Sequence, residues 1–281
     1  MTDFGASEKD YWDALAGQFQ YQAPPLRPCA EDIGIMRQIV EEWSLRHDRP
    51  QINVLLFGVT PEIVNLGWPP GTRLLAVEKS QAMIDLVWPG KIDGQRKVIR
   101  ENWFNLDVEE HSFDIIIGDG FLTSLAYPDQ YLQIAKSIFR WLKPDGLMIA
   151  RVFASPEEKE TLQNILADLK ANRISGFDIL KWRLAMAIQK NIRQGVVVGD
   201  IYRAWTNIGK EIPFFPAHTG WRPETINTIN LYNGRTNAYT FPTVAELNAV
   251  FSPAFDPVST IFPQYDFGHC CPILAHCPRV S

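Results

Sequence analysis

The chain has 281 residues, 46% of them hydrophobic and 21% charged, with a formal net charge of −5. This length supports one large or two small domains with a sizeable core, and the composition excludes a disordered chain. No apolar run approaches the roughly 18 residues of a membrane span, the start MTDFGASEKDYWD lacks the pattern of a secretory leader, and an acidic balance gives no general attraction to nucleic acid or acidic lipid; a cytoplasmic protein is expected.

Residues 31–45 place Ile35, Met36, Ile39, Val40 and Trp43 on one face and so predict an amphipathic helix. Short apolar runs follow, separated by helical stretches: NVLLFG (53–58), RLLAVE (73–78), KVIRE (97–101), FDIIIG (113–118) and GLMIARVF (146–153). The last two are nearly unbroken, as in strands covered on both faces. Between them PDQYLQIAKSIFRWL predicts a helix with Leu132, Ala135, Phe139 and Leu142 on its buried face. Repeated strand–helix–strand units predict an α/β fold with a doubly wound, mostly parallel sheet.

After Phe153 the pattern changes. Ser155, Pro156 and Glu158 have the spacing of a capping box and predict a helix start. Further helical stretches are expected at 177–192, 197–208 and 223–232, with no strand among them. Thr243 and Glu246 repeat the box ahead of AELNAVF, and strands return at PVSTIF (257–262) and CPILAHC (271–277). A helical insertion over about 155–240 is therefore expected between the fifth and sixth strands, either a lid over the strand ends or a layer extending the core. Cys29, Cys270, Cys271 and Cys277 form no disulfide framework. The HCCPILAHC string reads as a buried strand rather than a zinc site, because its ligand types lie at both ends of an apolar stretch.

In open α/β sheets ligands bind at the carboxyl ends of the strands. The first strand runs into Gly58, which permits a tight turn and close backbone approach, and then into Thr60 and Pro61, a candidate helix cap with its first-turn proline. The second strand ends in Glu78, twenty residues beyond Gly58, a spacing that suits the ribose hydroxyls of an adenosine-type ligand.

With these pieces in order, the sequence resembles the class I S-adenosylmethionine-dependent methyltransferases, Rossmann-like in fold. VLLFGVTPE stands at the family's glycine-rich first motif, AVEKSQAMIDL at its second strand, and VIRENWFNL after its third. HSFDIIIGDGFL fits the fourth strand and its loop, and RWLKPDGLMIARVF the turn into the fifth. The late strand pair fits the antiparallel hairpin that closes the family's sheet. The first motif is degenerate: Leu56 replaces an acidic residue, and Thr60 and Glu62 replace glycines. Asn102 stands where an aspartate is usual. Glu62 is expected to point into solvent.

The resemblance implies S-adenosylmethionine as cofactor. It implies Gly58 and Thr60 near the methionine part, Glu78 with Lys79 at the ribose, Asn102 and Trp103 at the adenine, and Asp119 and Gly120 near the amino end and the methyl. Ser80 and Met83 are expected to begin and pack the next helix. It further implies an N-terminal helical cover (1–48) with Tyr11, Trp12 and Tyr21 as candidate lids, a cofactor-binding core (50–153), the insertion (155–240) as lid or substrate cap, and a closing helix and two strands (241–281), all within one methyltransferase-like domain. Asp119, and His218 in PFFPAHTGW, are the candidate catalytic bases; no metal is expected.

The insertion carries nine Lys/Arg and six Asp/Glu over 152–210, which suits either a solvated helical face or an acidic substrate. There is no basic, aromatic-interleaved stripe for nucleic acid, and GDGFL replaces the motif of base-amino methylation. A small-molecule acceptor is expected, with neither nucleic acid nor membrane as partner. A fold that has lost catalysis and serves as a binding module is the alternative. A nicotinamide oxidoreductase is disfavoured by the missing G-x-G-x-x-G.

Overall fold

The computed structural model describes residues 4–49, 51–90, 94–212 and 215–279. Nine strands are described: β1 (Asn53–Phe57), β2 (Arg73–Glu78), β3 (Arg96–Arg100), β4 (Phe113–Asp119), β5 (Leu142–Arg151), β6 (Val196–Val197), β7 (Ala238–Tyr239), β8 (Phe255–Ile261) and β9 (Ile273–Pro278). Seven of them form one sheet in the order β3-β2-β1-β4-β5-β9-β8. The first five run parallel, whereas β9 is antiparallel to both β5 and β8. The chain therefore reverses its winding between β1 and β4, and the crevice above that point is where such sheets bind ligands.

Alternate residues of the central strands feed two cores. Val54 and Leu56 pack with Ile117 and Ile149 against Met36, Val40 and Trp43 of the helix Ala30–His47. Leu55 and Phe57 face the other way, with Ile116 and Met148, toward the helix Asp129–Trp141. Burial on both faces explains why these strands read as unbroken apolar runs. The buried stripe of the second helix is Tyr131, Ile134, Ala135, Ile138 and Trp141 rather than the expected one. Ala135 is common to both, Leu132 is half-buried and Phe139 is exposed.

The irregular stretch Lys143–Gly146 at the start of β5 is fixed by charge as well as shape. Asp114, fully buried, accepts from Lys143 Nζ at 2.8 Å and from the backbone N–H of Asn53 at 2.8 Å. A Cβ at Gly146 would lie 3.0 Å from the Asp114 carbonyl oxygen, so only glycine fits there unstrained.

The expected helix start at Ser155 is not formed. Beyond β5 the backbone stays extended, with Val152 donating to Pro272 O, Ala154 to Cys270 O and Ser155 to Pro242 O. These bonds compete with and replace the capping box, and the helix begins instead at Leu162, capped by Thr161 Oγ1 on the Asn164 N–H at 3.1 Å. Helices Phe177–Ile188 and Val198–Gly209, the short helices Phe215–Thr219 and Pro223–Asn227, and a 3-10 turn Thr228–Tyr232 follow. A strand pair absent from the sequence reading, β6 with β7, interrupts the expected all-helical run. These elements build a hydrophobic cluster of their own around Leu180, Trp182, Leu184 and Phe241. Thr243 and Glu246 form the expected capping box on Val244–Phe251.

Among the described residues no helix is long and apolar enough to cross a membrane, and no group of three or more His, Cys, Asp and Glu side chains is placed to hold a metal ion.

Candidate active site at the strand ends

A cavity of about 330 Å³ lies across the carboxyl ends of β2, β1, β4 and β5, within the size range of small-molecule sites. Gly58, Thr60, Glu78, Lys79, Asn102, Trp103, Asp119 and Gly120 all line it. The sequence reading placed these residues on four different strand ends, and the fold brings them to one surface.

Gly58 has φ +83°, a conformation that favours glycine, and a Cβ there would lie 3.9 Å from Glu78 Oε2. Glu78 is buried, and its Oε1 accepts from the Ser80 N–H at 2.8 Å. Burial pushes its carboxyl above the ordinary range, against the pull of the Ser80 N–H and the Lys79 charge. Ser80 caps its helix by accepting from the Met83 N–H at 3.2 Å, as expected. Trp103 stands half-buried, its Nε1 donating to Val77 O at 2.9 Å and its ring 5.4 Å from Phe57. Asn102 is exposed, and its side chain accepts from the Phe104 N–H at 3.1 Å.

Three expectations are corrected here. Thr60 makes no side-chain cap, and the helix after it spans only Pro61–Val64. Glu62 does not point into solvent: Oε1 accepts from Arg27 Nε at 2.9 Å and from Arg27 Nη2 at 2.5 Å. His218 lies outside the cavity, exposed on Phe215–Thr219, with Nε2 3.1 Å from Leu169 O.

Asp119 lines the cavity but is tied down. Its Oδ1 accepts from Arg151 Nε at 2.7 Å, and Arg151 is itself completely buried. Burial raises the Asp119 carboxyl while Arg151 opposes the rise. Arg151 also faces Asp32 at 3.6 Å and donates from Nη2 to Pro25 O at 2.9 Å. A charged residue inside the apolar run GLMIARVF was the available signal for this cluster, since a covered strand tolerates such a group only when it is paired.

The N-terminal segment closes one side. Tyr11, Trp12, Leu15 and Phe19 line the cavity, as do Leu26, Arg27 and Pro28. Tyr21 does not, and is 40% exposed. The sequence reading also missed the aromatic side of the site, where Phe153 follows β5 and Trp182, Tyr232 and Tyr239 come from the segment beyond it.

Residues 59–150 match the family model described as a methyltransferase domain. No curated protein matches the sequence. Among solved structures, the 1,6-didemethyltoxoflavin N1-methyltransferase of Burkholderia thailandensis, crystallised with 1,6-didemethyltoxoflavin and S-adenosylhomocysteine, is similar at 14% identity and a TM-score of 0.56, over 99% of this chain and 90% of that one. The N-methyltransferase NodS of Bradyrhizobium japonicum WM9, in complex with S-adenosyl-L-homocysteine, is similar at 11% identity and a TM-score of 0.54, over 96% and 99%. A Rhodobacter sphaeroides protein described as a candidate zinc-dependent alcohol dehydrogenase is similar at 12% identity and a TM-score of 0.61, over 98% of both chains. At such identities the likeness carries the fold alone. Residues 59–150 thus resemble a methyltransferase domain, and the sheet that holds them has the α/β fold seen in S-adenosylmethionine-dependent methyltransferases.

Proposed function

We propose that the protein binds S-adenosylmethionine across the ends of β2, β1 and β4 and transfers its methyl group to a small-molecule acceptor. The observation that carries the reading is the buried Glu78 carboxylate beside Gly58 at the winding reversal of the sheet. The cavity volume, the open approach at Gly58 and the aromatic wall of Trp103 fit a nucleoside with an amino-acid tail.

When bound, the cofactor supplies a methyl group made electrophilic by its sulfonium. The protein's part is to bind, align and exclude water. Glu78 accepts from the ribose hydroxyls, with Lys79 alongside, and Trp103 with Asn102 flanks the adenine. Gly58, Thr60, Asp119 and Gly120 form the surface under the methionine part and the methyl. Asp119, held by Arg151, orients rather than takes up a proton. The N-terminal helix and residues 22–28 cover the site, and the segment from Phe177 to Tyr239 caps the acceptor side. Among the described residues, five of the nine cations over 152–210 are paired: Lys170 with Glu211, Arg173 with Asp168, Lys181 with Asp178, Arg183 with Glu160 and Asp168, and Arg203 with Asp200. These pairs weaken the reading that the charge serves an acidic substrate.

A thermal melt with S-adenosylhomocysteine tests the cofactor assignment. At a hundred times the dissociation constant the ligand stabilises by about 2.7 kcal/mol, which raises the midpoint by roughly 5–10 °C for a chain of this size. No shift at millimolar ligand overturns the reading.

A further inference from the structure

The acceptor side of the cavity has a chemistry of its own. A Cβ on Gly120 would lie 2.8 Å from the Phe153 ring, so this ring packs directly on the turn that ends β4. The Phe153 and Trp182 centroids are 5.3 Å apart, and those of Trp182 and Tyr239 are 5.6 Å apart. The Tyr239 hydroxyl is hydrogen-bonded to that of Tyr11, and Tyr232 packs against both. A continuous aromatic wall thus runs from the expected methyl position into the segment beyond β5. Trp182 is 3% exposed, and its Nε1–H is buried without a hydrogen-bond partner. A buried donor left unpaired is costly, and a ligand that accepts from it removes the cost.

Among the described residues the same side lacks both a free charge and a base. Among the described lining residues the charged groups are Arg27, Glu78, Lys79 and Asp119. Arg27 is paired with Glu62 and Asp119 with Arg151, while Glu78 and Lys79 belong to the β2 end. Lys181 and Arg235 stand against the Tyr232 and Tyr11 rings without lining the cavity. Burial pushes the Tyr11, Tyr232 and Tyr239 hydroxyls upward, away from service as bases.

We propose that the acceptor is a neutral heteroaromatic molecule that lies against the Phe153–Trp182–Tyr239 wall, methylated on a ring nitrogen and accepting the Trp182 N–H through a second ring nitrogen or carbonyl oxygen. This rests on the cofactor assignment above. The ring nitrogen's lone pair forms the new N–CH3 bond, and the S–CH3 bond breaks with its electron pair passing to sulfur. The positive charge moves from sulfonium to the methylated ring, no proton is released, and no base is required. Aromatic faces stabilise the cationic product.

The test is calorimetry on the full chain saturated with S-adenosylhomocysteine, with quinoxaline, quinoxaline-2-carboxylate and cyclohexylamine as probes. Quinoxaline is expected to bind at least tenfold more tightly than either of the others. The variant Trp182→Phe keeps an aromatic ring and removes the donor; it is expected to weaken quinoxaline by about three- to tenfold with S-adenosylhomocysteine affinity unchanged. Equal binding of the three probes, no binding of quinoxaline, or an unaltered quinoxaline affinity in Trp182→Phe overturns the proposal while the cofactor assignment stands. Failure of S-adenosylhomocysteine itself to bind overturns both.

Discussion

Arg151 Nε and Asp119 Oδ1 lie 2.7 Å apart at the carboxyl ends of adjacent strands, both side chains withdrawn from solvent. The pair fixes the acidic residue that lines the cavity at the end of β4, and through Pro25 O it ties down the covering segment as well. A buried ion pair of this kind adds little net stability compared with an apolar pair, yet losing one partner is costly.

Arg151→Met leaves Asp119 and Asp32 buried without their shared cation. The expected loss is about 3–5 kcal/mol, read as a lower midpoint in urea at pH 7. An unchanged midpoint contradicts the pairing described here.

Glu78→Gln keeps the shape of the proposed ribose site and removes its charge. Calorimetry with S-adenosylhomocysteine is expected to show a loss of about 1.5–3 kcal/mol, or roughly 10- to 150-fold, with the melting temperature of the unliganded protein little changed. Because burial raises this carboxyl, it takes up a proton at a higher pH than an exposed glutamate. Affinity in the wild type therefore begins to fall earlier on acidification, and the Gln variant lacks that component.

His276 supplies a pH dependence of stability remote from the site. It is buried, with Nε2 3.1 Å from Asn248 Oδ1 and Nδ1 without a partner, and burial lowers its pKa to about 4. The unfolded chain, near the ordinary value of about 6.5, binds the proton more readily. The neutral ring's contribution is thus complete above that value and is lost as the pH falls toward 4. Comparing midpoints at pH 7 and pH 5 should show a smaller decrease in His276→Leu than in the wild type.

The sheet was legible because its strands are covered on both faces, which writes apolar runs into the sequence at Val54–Phe57 and Ile115–Ile117. Glu78 and Gly58 were legible because a strand end followed by a turn restricts residue type. Ser155 misled because a capping box is a local signal, whereas the bonds that hold residues 152–155 extended come from Pro272, Cys270 and Pro242, far away in sequence. His218 misled for a related reason: nothing local reveals that its short helix turns toward Leu169. Phe139 and Tyr131 compete for the same helix at similar hydrophobicity, and the sheet beneath selected Tyr131. The aromatic wall was out of reach, since Phe153, Trp182 and Tyr239 belong to separate elements that meet only after the segment between β5 and β8 has packed.

The contact of Tyr11 with Tyr239 spans 228 residues, and Ala23 N donates to Asp178 across 155. A growing chain releases its N-terminal helix first, but the surfaces that receive it are synthesised near the end. The parallel strands β1–β5 can form from segments closer in sequence, whereas the cover must wait for distant ones. The chamber therefore closes only after the parallel strands are made, and nascent chains that stop short of Tyr239 carry those strands without a closed chamber. A protease added early in refolding would find the covering segment up to Pro28 accessible after the central strands had already become protected.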